Sequence, residues 1–183
     1  MSDESVPSSP LPFSDDELYL LSCLPGLVGS AITFSDVSGP VGTIKEMMAN
    51  ARARVAGRSN YPDNAIICAI VPEFDGRADA MAVARDIRSR QQQEYKAAGV
   101  ESRDDMRDHA IEQAAKVNVL LTEKAEPNEA AEYREWVMSV AQATAEAAKE
   151  GGFLGIGGVR VSPDEQRTLD EIAAALGAEP VDG

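Results

Sequence analysis

A chain of 183 residues can bury roughly two thirds of its unfolded surface in a single core, so neither a metal nor a disulfide is needed to hold it together. Aromatic residues make up only 5% of the sequence and alanine is abundant, which disfavours a β-sandwich and favours helices that meet across Leu, Ile, Val, Met and Ala faces. The formal charge of −14 argues against duplex nucleic acid as a partner, because such binding needs clustered cations to displace counterions.

That charge is unevenly spread. Residues 1–37 carry six acids and no base, and residues 163–183 carry six acids against Arg167. Residues 38–60 reverse the sign, with Lys45, Arg52, Arg54 and Arg58 against Glu46 alone. Cys23 and Cys68 both lie in apolar runs, where a thiol behaves as a small hydrophobe. A reducing cytoplasm is therefore the expected compartment. No basic stretch precedes the first apolar run, so no secretory leader is predicted.

Taken in order, residues 1–12 are rich in Ser and Pro with little to bury and are expected to form a disordered arm. A single helical domain is expected over residues 13–177. Ser14 followed by Glu17 makes a capping box, and Phe13 is placed to pack on Leu18 as a hydrophobic staple. Leu18–Phe34 is the longest uncharged run in the chain and reads as the central helix, residues 15–34. Its acidic flanks, the absence of anchoring Lys or Arg, and its internal Pro25 and Gly26 argue against a membrane span. Pro25 is expected to kink that helix or break it in two. Ser22, Gly26 and Ser30 stand four apart, a small-residue face at which another helix should cross at short range.

Pro40 suits the first turn of a second helix. Its regular stripe of Val41, Ile44, Met48, Ala51 and Val55 predicts the buried face, and Gly57 ends it. Arg52, Arg54 and Arg58 cluster in the last turns, where cations complement the helix dipole. The run from Ala65 to Val71 fits a short helix or a buried strand by periodicity, and a helix is preferred for want of a strand partner. A long helix from about Arg77 to Ala98 follows, with Met81, Ala84, Ile87, Gln91 and Tyr95 near one face and Gly99 closing it. Ser102 caps the next, which buries Met106, Ala110, Ala114, Val117 and Leu121. Pro127 opens another, running to about Glu150 with Trp136, Val140, Ala143 and Ala147 inside. Ser162, Pro163 and Glu165 combine three helix-start signals, and Leu169, Ile172, Ala173 and Leu176 face inward until Gly177 stops the helix. Residues 178–183 are expected to fray. The fold predicted is all-α, an irregular bundle of six to seven helices around the apolar one.

The segment EAAKEGGFLGIGGVRVSPDE, together with the capped FSDDE opening of the first helix, resembles a set of small, uncharacterised prokaryotic proteins predicted to be helical. The resemblance implies an α fold and carries no activity, cofactor or catalytic residue.

Two stretches are candidate sites. Gly151, Gly152, Phe153, Leu154, Gly155, Ile156, Gly157 and Gly158 form a glycine-rich connection. It lacks the phosphate-loop and dinucleotide glycine spacings, and the helix after it opens with Asp164 and Glu165, whose charges oppose an anion there. It reads as an αα connection whose apolar residues plug the bundle or, if exposed, dock a partner. His109, the only histidine, stands at helical offsets of four and three from Asp105 and Glu112. That geometry suits a carboxylate/imidazole metal site, although the three lie off the apolar stripe of their helix and need a further ligand from elsewhere.

No nucleophile elbow occurs, and neither cysteine lies in surroundings that would lower its pKa. The reading that follows is a non-enzymatic cytoplasmic interaction or structural protein that self-associates, with no cofactor and no nucleic-acid or membrane partner. The alternative is a carboxylate-based metal or small-ligand binder.

Overall fold

The computed structural model describes residues 11–35, 39–71, 73, 85, 89–149 and 161–180 of the chain. Seven helices and no strand are found among them: α1 (Asp15–Ser35), α2 (Gly39–Asn60), α3 (Ala65–Ile70), α4 (residues 89–97), α5 (Arg103–Lys124), α6 (Pro127–Lys149) and α7 (Pro163–Leu176). Residues 1–10 of the predicted arm, much of the helix expected before residue 89, and the glycine segment 151–158 lie outside the described residues; Leu11, near the end of that arm, packs against the core.

Helix α1 is the axis of the bundle. It packs against α2, α3, α5, α6 and α7, burying Leu21, Leu24, Leu27, Val28, Ala31 and Ile32. The capping box forms as its residues dictate: Glu17 accepts from the Ser14 N–H at 2.7 Å, and Ser14 Oγ accepts from the Glu17 N–H at 3.4 Å. α1 is long and apolar enough to cross a membrane, with 56% of its most apolar window buried inside the bundle.

Pro25 does not break α1 in two: the helix runs through it. The carbonyls around the proline are instead served by side chains. Tyr133 Oη donates to the Leu21 carbonyl at 2.7 Å. Arg54 Nη2 donates to Ser22 O at 3.2 Å, and Asn50 Nδ2 to Pro25 O at 3.2 Å.

Those donors explain the main correction to the expected core. Of the stripe predicted to be buried on α2, Ile44, Met48 and Val55 face solvent, 59%, 51% and 58% exposed, with Met47 at 56% beside them, while the side chain of Val41 lies outside the described residues. Ala51 is exposed with them. The face turned inward is the polar ridge Glu46, Asn50 and Arg54, followed by Gly57. A second helix does cross α1 at the small-residue face, as the spacing implies, but the close atoms at Gly26 belong to the Arg54 guanidinium and those at Gly29 to the Asn50 carboxamide. Asn50 also donates to Thr144 Oγ1 on α6 at 3.3 Å, so one amide joins three helices.

Arg58 works on a neighbour and not on its own helix end. Its guanidinium donates to the Cys68 and Val71 carbonyls at the C-terminus of α3 and pairs with Glu73 at 2.9 Å. α3 is a helix, capped by Asn64, whose side chain accepts from the Ile67 N–H at 3.0 Å.

The later elements follow their sequence signals closely. Ser102 and Ser162 each form a reciprocal capping box. The predicted stripes of α5 and α7 are buried throughout. On α6, Trp136 and Val140 are buried as expected, whereas Ala143 and Ala147 are only half-buried and Tyr133, Val137, Ala141 and Thr144 complete the inner face. Gly99 and Gly177 adopt positive φ at the ends of α4 and α7, the left-handed conformation that glycine takes without a Cβ penalty. The first residue of the expected fraying tail is tied down, since the Ala178 N–H donates to Ala173 O at 2.9 Å.

Candidate functional site

Three helices enclose a cleft of about 360 Å³. α1 supplies one wall through Tyr19, Cys23 and Leu27, a ridge with helical spacing of four. α4 supplies Arg90, Gln91, Glu94 and Tyr95, and α5 supplies His109 and Gln113. Each helix thus contributes residues one turn apart, the spacing that puts side chains on one face.

The rim is a charged cluster. Arg90 lies over the Tyr19 ring, 3.5 Å from its centroid, and reaches Asp16 at 3.2 Å and Glu94 at 3.6 Å. The Tyr19 hydroxyl donates to Glu94 at 3.4 Å. A guanidinium above a ring face and beside two carboxylates gains cation–π and Coulomb attraction together, so Arg90 is committed to the protein itself.

The interior is neutral. His109 meets the edge of Tyr95, with ring centroids 5.8 Å apart and planes at 83°. Burial pushes the His109 imidazole below the usual histidine range, and Glu112 opposes that shift only in part. Burial pushes the Tyr95 phenol up to about 12, with Cys23 adding to the effect. Burial likewise raises the Cys23 thiol. Near neutral pH these groups offer an uncharged imidazole, phenol and thiol, a set unsuited to thiolate nucleophilic chemistry.

The three residues singled out as a metal site do not act as one. Asp105 is spent on the α5 capping box, accepting from the Ser102 N–H at 2.8 Å and the Glu101 N–H at 3.1 Å. Glu112 pairs with Lys116 at 2.9 Å on the exposed face. His109 turns into the cleft. Among the described residues no group of three or more His, Cys, Asp or Glu side chains is placed to hold a metal ion. The glycine segment 151–158 lies outside the described residues.

Gln91 and Tyr95 were legible as one helix face, and His109 as unusual. That Gln113 joins His109 opposite them depended on how α4 and α5 pack, which no local pattern encodes. The second feature of the surface, the outward stripe of α2, was legible as a stripe but with the wrong side assigned.

No family model, curated protein or solved structure matches the chain.

Proposed function

We propose that this is a non-enzymatic, self-associating cytoplasmic protein that docks through the outward face of α2. The carrying observation is the inversion of that helix: Ile44, Met47, Met48 and Val55 are each more than half exposed, while Glu46 beside them is 1% exposed. Ordinary surface helices place apolar residues inward, and a contiguous apolar stripe left outside is characteristic of an interaction surface.

A second copy of the chain is the occupant that best fits the stripe. Ile44, Met48, Ala51 and Val55 recur at steps of four, three and four, the spacing by which two helices interdigitate. Antiparallel pairing about the middle of the stripe sets Ile44 against Val55 of the second copy and Met48 against its Ala51. Arg52 then lies beside Met47 of that copy, where its aliphatic stem packs and its charge stays in water. The strong negative charge of the whole chain disfavours an anionic membrane as the alternative cover.

Sedimentation equilibrium of the full chain, with Met48→Glu as the comparison, tests the reading. A concentration-dependent dimer that Met48→Glu converts to monomer, with an unchanged helical circular-dichroism spectrum, is the expected result. A wild-type chain that stays monomeric at high concentration would overturn it.

A further inference from the structure

The cleft between α1, α4 and α5 holds a set of polar groups drawn from two facing helices. Gln91 and Tyr95 stand one turn apart on α4, and His109 and Gln113 one turn apart on α5. The two carboxamides, the imidazole and the Tyr95 hydroxyl make no hydrogen bond to another described residue. Four uncharged hydrogen-bonding groups from two helices thus converge on one space, each half-buried and able to turn to a bound molecule.

We propose that this cleft binds a small, uncharged heteroaromatic molecule of nucleobase size, one that carries hydrogen-bond donors and acceptors side by side on its ring edge. Chemistry selects the class. Each carboxamide presents a donor and an acceptor together, and a neutral imidazole and a phenol do the same, so the array matches an edge of alternating polarity. Tyr19 and Tyr95 present aromatic surface, and Leu20, Leu27 and Cys23 present apolar surface, which together suit a flat ring.

Charge excludes anions. The ionised groups lining the cleft are Asp16, Glu94 and Arg90, and Arg90 is engaged by both carboxylates and the Tyr19 ring. A phosphate or carboxylate would meet a surplus negative charge with no free cation to take it. Cations gain little either, because the same carboxylates are already paired. Size excludes extended cofactors: about 360 Å³ lies at the small end of ligand pockets, which span roughly 300–1,000 Å³.

The test is an NMR titration of the full chain with adenine and nicotinamide as uncharged probes, and with AMP and benzoate as charged comparators. Saturable shifts are expected at the Gln91 and Gln113 side-chain amides and the His109 ring for at least one uncharged probe. Binding should weaken by about tenfold in Gln113→Leu, the equivalent of one hydrogen bond. If that variant does not fold, Gln91→Leu on the facing helix gives the same reading. Absence of saturable shifts with both uncharged probes would overturn the proposal. So would equal or tighter binding of both charged comparators, or unchanged affinity in the folded leucine variant.

Discussion

Tyr133 on α6 donates its hydroxyl to the carbonyl of Leu21 at 2.7 Å, deep in the core. Leu21 is the residue four before Pro25, so its carbonyl is the one that the missing proline N–H leaves without a helical donor. A side chain from another helix thus completes the ladder of α1. Tyr133→Phe should destabilise the protein by about 1–3 kcal/mol, because it strands a buried acceptor. The cost should shrink in a Pro25→Ala background, where the restored N–H can serve Leu21. Urea unfolding of the two single variants and the double variant closes the cycle, and equal costs in both backgrounds would refute the coupling.

Gly57 lies against the indole of Trp136, where an added Cβ would fall 2.3 Å from Nε1 and 2.5 Å from Cε2. Trp136 is fixed by its neighbours and donates to the Ala53 carbonyl at 3.4 Å, so it cannot retreat cheaply. Gly57→Ala should cost ~1–3 kcal/mol by overpacking. The emission of Trp136, the single tryptophan, should change with it. Gly26→Ala is expected to be milder, since the nearest atom there is the tip of the flexible Arg54 side chain at 2.9 Å. Thermal melts that ranked Gly26→Ala as the worse variant would contradict this packing.

Glu46 is buried with neither carboxylate oxygen hydrogen-bonded. Removing such a group and keeping its length should help the fold. Glu46→Met is expected to raise stability by on the order of 1–3 kcal/mol, read as a higher urea midpoint with an unchanged slope. A lower midpoint would mean that the carboxylate has a stabilising role.

His109 should titrate below the ordinary histidine range, since burial disfavours its charged form. The unfolded chain then binds a proton that the folded chain refuses over the window between the depressed folded value and the ordinary value of 6.5. Stability contributed by the neutral ring is therefore fully present above that window and is lost as pH falls through it. Wild type should lose more stability than His109→Gln between about pH 7 and about pH 5. An NMR titration placing His109 at or above its ordinary value would contradict the burial argument.

Much of the fold was legible because its signals are local. The capping boxes at Ser14, Ser102 and Ser162 connect residues three apart, and the turns at Gly99 and Gly177 depend on backbone sterics alone. The stripes of α5 and α7 were readable for a related reason: each has one apolar face, and burial had no competitor. The cleft was only half legible. Asp105, His109 and Glu112 share a helix face by spacing, but capping and an ion pair claim the two acids, and only His109 reaches the cleft.

What the sequence alone determined, then, is the helical class, the capped starts of α1, α5 and α7 and the central place of α1, because hydrophobic periodicity and capping act within a few residues, whereas α2 runs past Gly57 to Asn60. What only the tertiary structure decided is which way α2 faces. Its apolar stripe predicts one side and its partners require the other. The Ser22 and Pro25 carbonyls beside the proline, the small residues Gly26 and Gly29, and the Thr144 hydroxyl together form a groove of acceptors and short side chains. Asn50 and Arg54 satisfy that groove. Those contacts join residues 25 and 94 positions apart, beyond the reach of any local pattern, and the orientation that makes them leaves Ile44, Met47, Met48 and Val55 outside.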